Sequence, residues 1–222
     1  MSVHLCGFRK GYSTQHALFR LIEKWRQCRD KSGIVGAILM DLSKAYDCLP
    51  HDLLIAKLEA YGFGTESLKL IYSYLTDRKQ RVKLESEFSA WLEIILGVPQ
   101  GSVLGPLLFN ICLNDLFSLE LDSELCNFAD DNTLYACGIT LDEVIINLEN
   151  DMTHIIRWFK VNSMVANPLK FQLIFLGLKN INNICLDIGG NIVRSSNVVK
   201  LLGMYIDNRL NFITHVNELC KM

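Results

Sequence analysis

"CNFADDNTLYAC", residues 126–137, sets two aspartates side by side between two short apolar runs. Aspartate is depleted in strands and adjacent carboxylates repel, so the pair costs stability unless something neutralises it. Paired as strands, "LCNFA" and "NTLYAC" put Asp130 and Asp131 at the tight turn between them, with both carboxylates projecting from one end of a sheet. Taken alone, the two residues are better accounted for as a polar hairpin turn. What else the chain delivers to that sheet end decides between the two.

Upstream, "IVGAILMDL" (34–42) is a short buried-strand candidate with Asp41 near its C-terminal end, where a neighbouring strand would bring it beside the pair. Before it, His16–Arg29 carries Ala17, Leu18, Leu21, Ile22 and Trp25 at helical spacing. After it, a helix is expected from Pro50 through "DLLIAKLEAY" to Gly62, and Thr65 is expected to cap a second, "ESLKLIYSYL". "RVKLE" and "WLEIIL" read as the strands of a hairpin, and the punctuated "GVPQGSVLGP" (97–106) as a turn opening a helix through "LLFNICLNDL". Downstream, Thr140 and Glu143 have capping-box spacing before a helix with Leu148, Met152, Ile155 and Phe159 on one face. "FQLIFLG", "ICLDIGGNIVR" with "GGN" as its turn, and "VVKLLGMYID" read as strands before a short C-terminal helix. The order β-α-β-β-α-β gives an α+β fold, a split βαβ (ferredoxin-like) sheet with helices on one face. That architecture hosts many activities, so the site must decide.

Composition narrows the classes. The 222 residues are 50% hydrophobic and 21% charged, enough for a sizeable core in one domain or two joined subdomains. Eight cysteines are scattered without a Cys-x-x-Cys or Cys/His cluster, which points away from zinc and disulfides and toward a reduced intracellular compartment. "GIVGAILM" (33–40) is too short to span a bilayer and no leader pattern precedes it, so no membrane partner is expected. A net charge of −2 argues against a stand-alone nucleic-acid binder. Any contact with nucleic acid then rests on local patches.

Three carboxylates converging at one sheet end suit Mg²⁺, a hard cation usually held by one or two carboxylates together with substrate phosphates. Two such ions can stabilise both the attacking and the leaving oxygen of an in-line phosphoryl displacement. Bound cations would also offset the repulsion within the pair.

Read together and in order, "ILMDLSKAYDCLPHDLL" (38–54), "GVPQGSVLGPLLF" (97–109) and "FADDNTLY" (128–135) resemble the successive palm motifs of reverse transcriptases, in the version of non-LTR (LINE-like) retrotransposons. "GFRKGYSTQHAL" (7–18), "YLTDRKQRV" (74–82), "NPLKFQLIF" (167–175) and "VKLLGMYIDNRLNF" (199–212) extend the resemblance over nearly the whole chain. It implies an RNA-directed DNA polymerase that transfers dNTPs onto a primer 3′ hydroxyl with two Mg²⁺ ions, Mn²⁺ able to substitute. RNA template, DNA primer and dNTPs are the implied partners.

Carried over residue by residue, Asp41 and Asp130 match the two principal metal ligands and catalytic aspartates, Asp131 a third, and the Leu42 carbonyl a backbone ligand. Tyr46 matches the aromatic residue that closes the space beside the sugar 2′ position; a half-buried aromatic at a strand-to-helix junction is the other reading. Gln100 and Gly101 match residues lining the nucleotide pocket, and otherwise belong to a turn before a helix. Lys170 matches the lysine near the triphosphate, and otherwise is a solvated turn residue. Asp47 fits the pattern without reaching the metals, so a cap or hydrogen-bond role is expected. Arg9, Lys10, Arg78, Lys79, Arg81 and Lys83 form two basic groups able to touch a template or primer backbone, or simply a solvated face.

The chain departs from the family at Phe171, where threonine usually follows the lysine. By this reading residues 1–33 and 63–95 are mainly fingers and residues 34–62 and 96–210 mainly palm, followed by the start of a thumb connection. The rest of the fingers, the thumb and an endonuclease part would lie in a longer polyprotein. Extension by these residues alone is then expected to be weak, and the setting is a retroelement ribonucleoprotein in nucleus or cytoplasm. An inactive remnant that keeps the fold and at most binds RNA is the alternative. A palm polymerase templated by RNA for RNA fits Tyr46 and "PQGSVLGP" less well.

Overall fold

The computed structural model describes residues 1–42, 46–178 and 184–221, so residues 43–45 of the stretch 38–54 lie outside the described residues. Helix α1 (Thr14–Asp30) starts at Ser13, whose hydroxyl accepts the His16 amide N–H, and buries Ala17, Leu18, Leu21 and Trp25. Strand β1 (Ile34–Asp41) follows. Helix α2 (His51–Ala60) begins after Pro50, which stands at the N-cap and not in the first turn. Helix α3 (Thr65–Leu75) is preceded by Gly64 as N-cap, with no side-chain cap bond. Thr65 is therefore the first helical residue rather than the expected cap, and at this exposed helix start water can serve the first amides.

Four short strands come next: β2 (Arg78–Gln80), β3 (Lys83–Leu84), β4 (Glu87–Phe88) and β5 (Leu92–Ile94). β2 pairs with β5 and β3 with β4, both antiparallel. This corrects the expected pairing of "RVKLE" with "WLEIIL": the partner of Leu92–Ile94 is Arg78–Gln80. None of these strands has a buried residue, so no core face fixes their register.

Helix α4 (Leu104–Leu113) runs into a 3₁₀ turn, and then come strands β6 (Glu124–Phe128) and β7 (Asp131–Gly138). Helix α5 (Leu141–Val161) starts where Thr140 accepts the Glu143 N–H, while the Glu143 carboxylate reaches back to the Ile139 N–H. Strand β8 (Gln172–Leu176) completes a four-stranded sheet of order β6-β7-β1-β8, antiparallel throughout. β9 (Cys185–Ile188) and β10 (Asn191–Arg194) form a hairpin around Gly189 and Gly190. "VVKLLGMYID", expected as one strand, is instead a hairpin of β11 (Val198–Leu201) and β12 (Met204–Asp207). Leu202 and Gly203, both at positive φ, make its two-residue turn. Helix α6 (Ile213–Leu219) ends the described chain.

The sheet is buried on both faces, unlike the expected helices on one face only. Ile38, Met40, Leu134 and Phe175 pack with Phe109 of α4 and Leu148, Met152 and Phe159 of α5. Val35, Ala37, Leu39 and Ile174 pack on the other side with Leu18, Leu21 and Trp25 of α1 and with Val199 and Ile206 of the last hairpin. A strand covered on both sides needs a continuous apolar run, which β1 supplies from Val35 to Met40. No helix among the described residues is long and apolar enough to cross a membrane.

Candidate active site

The β6–β7 hairpin pairs Phe128 with Asp131, so its turn is the two residues Ala129 and Asp130. The aspartates therefore separate: Asp130 lies in the turn, whereas Asp131 opens β7 directly opposite Asp41 of β1. Ala129 is held in the left-handed region at φ +59°. A buried amide network supports that strained turn. Asn127 Nδ2 donates to the Ala129 carbonyl (2.6 Å) and to Asn132 Oδ1 (3.1 Å), and Asn132 Nδ2 donates to the Asp130 carbonyl (3.2 Å).

The chain's first residues brace the same turn from outside. The Cys6 N–H donates to the Asn127 carbonyl and the Asn127 N–H to the His4 carbonyl. Gly7 packs so closely that a Cβ there would stand 2.2 Å from the Ala129 nitrogen. Asn110, from α4, donates to the Gly7 carbonyl at 2.7 Å. Sequence reasoning passed over Asn110, Asn127 and Asn132. Their signal was there, since an asparagine inside "LLFNICL" or "LCNFADDNTLY" must find partners once buried.

The electrostatics follow from crowding. The Asp131 carboxyl is pushed up to about 6, first by burial, then by the neighbouring charges of Asp130 and Asp41. Lys170, in a 3₁₀ turn capped by Asn167, brings its Nζ to 3.5 Å from Asp41 Oδ2. Phe171, which follows as the C-cap of that turn, is buried. Leu42 bridges to Ala166 just past the end of β1. Among the described residues no group of three or more His, Cys, Asp or Glu side chains is drawn together as a metal site. Asp41 faces Asp131 in register and also pairs with Lys170. The donor chemistry nonetheless fits Mg²⁺, being oxygen only, and such ions complete their shell with water and phosphate.

Beside the carboxylates lies a cleft of about 620 Å³ lined by Phe8, Leu42, Tyr46, Gln100, Gly101 and Asp130, among others. The Tyr46 ring stacks on Phe109 at 4.3 Å, and Phe8 meets it edge-on at 6.0 Å. Burial pushes its phenol up, with Asp130 adding to the shift, and its hydroxyl is buried without a partner among the described residues. Gly101 takes φ +76°, a conformation glycine adopts at little cost. His51, which sequence reasoning passed over, is buried and hydrogen-bonded through Nε2 to the Gly97 carbonyl. It ties the first turn of α2 to the loop before α4.

The basic residues divide. The Arg9 guanidinium donates to the Ser2 and Leu5 carbonyls and lies over Tyr12, which makes it a brace of the N-terminal turn, while Lys10 is exposed. Arg78 lies over Tyr74, Lys79 pairs with Glu93 at 3.8 Å, and Arg81 and Lys83 lie over Phe88.

The sequence matches the reverse transcriptase (RNA-dependent DNA polymerase) family over residues 1–206. The chain belongs to the reverse transcriptase family. It is 30% identical to a probable RNA-directed DNA polymerase from transposon BS of Drosophila melanogaster over 96% of the chain and 24% of that protein. To the retrovirus-related Pol polyprotein from the type-1 retrotransposable element R2 of Popillia japonica it is 27% identical, over 64% of the chain and 24% of that protein. This reverse transcriptase chain thus spans about a quarter of the length of such relatives. Among solved structures, apo telomerase from Candida tropicalis truncated from its C-terminal domain superposes with a TM-score of 0.61. That match covers 90% of the chain and 39% of the telomerase at 16% identity, a likeness of fold alone.

Proposed function

We propose that this reverse transcriptase chain forms the palm and part of the fingers of a retroelement RNA-directed DNA polymerase, with Asp41, Asp130 and Asp131 as its catalytic carboxylates. The observation that carries the reading is the register of Asp41 against Asp131, with Asp130 in the adjoining turn and lining the cleft. The sheet order β6-β7-β1-β8 and its antiparallel pairing support a split βαβ palm. The lone pairing of β2–β5 and β3–β4, away from that sheet, supports assigning residues 63–95 to fingers.

In this reading Asp41, Asp130, Asp131 and the Leu42 carbonyl hold Mg²⁺, or Mn²⁺ in its place. The bound ions would activate the primer 3′ hydroxyl and neutralise charge on the transferred phosphate. Tyr46 stands beside the sugar and excludes a 2′ hydroxyl by the bulk of its ring, which packs on Phe109 and Phe8. Gln100 and Gly101 line the nucleotide pocket. Lys170, placed 3.5 Å from Asp41, would meet the negative charge of the triphosphate. Lys10, Arg78, Lys79 and Arg81 remain candidates for template or primer backbone, Arg9 serving the fold as well.

The test is a thermal melt with and without divalent cation. Mg²⁺ or Mn²⁺ should raise the Tm of the wild-type chain, because a ligand that binds only the folded state stabilises it. Asp130→Asn should remove most of the increase. Melts indifferent to metal, or equally responsive in the variant, would count against these carboxylates.

A further inference from the structure

Of the two carboxylates lining the cleft, Asp130 has a task in the reading above and Asp47 has none. Gln100 Nε2 donates a 2.8 Å hydrogen bond to Asp47 Oδ1, across 53 positions of sequence. The backbones beneath are already joined. The Gly97 N–H donates to the Leu49 carbonyl, the Val98 N–H to the Tyr46 carbonyl, and a Cβ at Gly97 would stand 2.7 Å from the Asp47 Cα. Only the long side chain of Gln100 is left to be fixed, and a free glutamine keeps most of its rotamer freedom.

The pair also borders two spaces. Asp47, Pro99 and Gln100 line the cleft with Tyr46 and Asp130, and they line a second cavity of about 720 Å³ that Arg78, Lys79 and Glu93 bound on the other side.

We infer that Asp47 is a positioning residue: it holds the Gln100 amide in the wall of the cleft, leaving Gln100 Oε1 and its second N–H to a bound nucleotide. The inference rests on reading the cleft as a deoxynucleotide site. A carboxylate suits the role because it only accepts, so it fixes which end of the amide faces it.

The test is a double-mutant cycle on this chain, with dATP and Mg²⁺ as the probe in calorimetric titrations and a melting curve for each variant. Gln100→Ala should weaken binding about tenfold and Asp47→Ala nearly as much, with the double variant no worse than either alone. Asp47→Asn should bind close to wild type, since its amide oxygen can still accept. Asp47→Ser is a second truncation should the alanine variant fold poorly. Additive losses, an Asp47→Ala that binds as well as or better than wild type, or an Asp47→Asn as damaged as Asp47→Ala each overturn the positioning role and leave the cleft a nucleotide site. Absence of binding by wild type, or full binding by Gln100→Ala, overturns the nucleotide reading and this inference with it.

Discussion

The β6–β7 hairpin and the paired strands of residues 78–94 both turn the chain back on itself, and they are held by opposite means. Beneath the first, Asn127 and Asn132 are each at most 1% exposed and hydrogen-bonded to the turn they support. Across the second, Arg81 lies 3.8 Å over Phe88 and 4.5 Å over Trp91, contacts made on an exposed surface. A buried polar network narrows the geometry, because turning Asn127 or Asn132 away would leave buried amide N–H groups unpaired. Cation–π contacts in water tolerate several geometries at nearly equal energy. The carboxylates thus sit on a turn held by buried amides, and the basic residues of 78–83 on strands held by contacts at an exposed surface.

The largest effect that would sharpen this contrast is expected at Gly7. Its Cβ would meet backbone, not a flexible side-chain end, so Gly7→Ala must displace either the Ala129 turn or the first residues. Either choice disturbs the pairing of Cys6 and His4 with Asn127 and the burial of Leu5. A loss of about 2–3 kcal/mol in urea unfolding is expected, with the metal-induced rise in Tm reduced as well. A neutral Gly7→Ala would mean that the turn does not depend on its outer brace.

The same division governs how much the sequence disclosed. The aspartate hairpin, β1 and α5 were legible because burial enforces their patterns: the apolar run before Asp41 and the helical stripe from Leu148 to Phe159 admit few alternatives. The partner of Leu92–Ile94 was not legible, because a strand without a buried face carries no register signal. The hairpin at Leu202–Gly203 was missed for another reason: "VVKLLGMYID" is apolar on both sides of the turn, and a leucine at positive φ is not a turn signal. At the site, the approach of Asp41 to the aspartate hairpin was legible, since β1 and β7 pair Asp41 with Asp131, and the contact of Asp41 with Lys170 was not. That Asp41 pairs with Lys170 while Asp131 stays crowded is a matter of unbalanced charge, which no motif encodes.

A middle-sized effect is expected from that crowding. With its folded pKa raised to about 6 from an ordinary 3.8, Asp131 favours the folded state while protonated, and this contribution is lost as pH rises from about 4 through 6. Asp131→Asn, which is neutral throughout, should match wild type near pH 4 and be more stable at pH 7 without metal. The gain should be on the order of 1 kcal/mol, after discounting the shift for a partly solvated group. Added Mg²⁺ should reverse the order at pH 7, because only the carboxylate can hold the ion. A constant difference between the two proteins from pH 4 to 7 would place the strain elsewhere.

The smallest effect is expected on the exposed strands, and it is there that the contrast is most easily broken. Arg81→Ala removes the guanidinium from both Phe88 and Trp91, contacts worth about 0.5–1 kcal/mol each at exposed sites. If the strands of 78–94 open independently of the sheet, that loss falls on local opening and not on global unfolding. Urea unfolding followed through the sheet should then shift by less than about 0.5 kcal/mol. Hydrogen exchange should quicken several-fold at the Ser89 N–H, which donates to the Val82 carbonyl at 2.9 Å, and stay unchanged at the Asn127 N–H. Faster exchange at both amides, or a global loss as large as that of Gly7→Ala, would mean that the two hairpins belong to one cooperative unit, and that the adaptable arm is no more free than the turn that carries the aspartates.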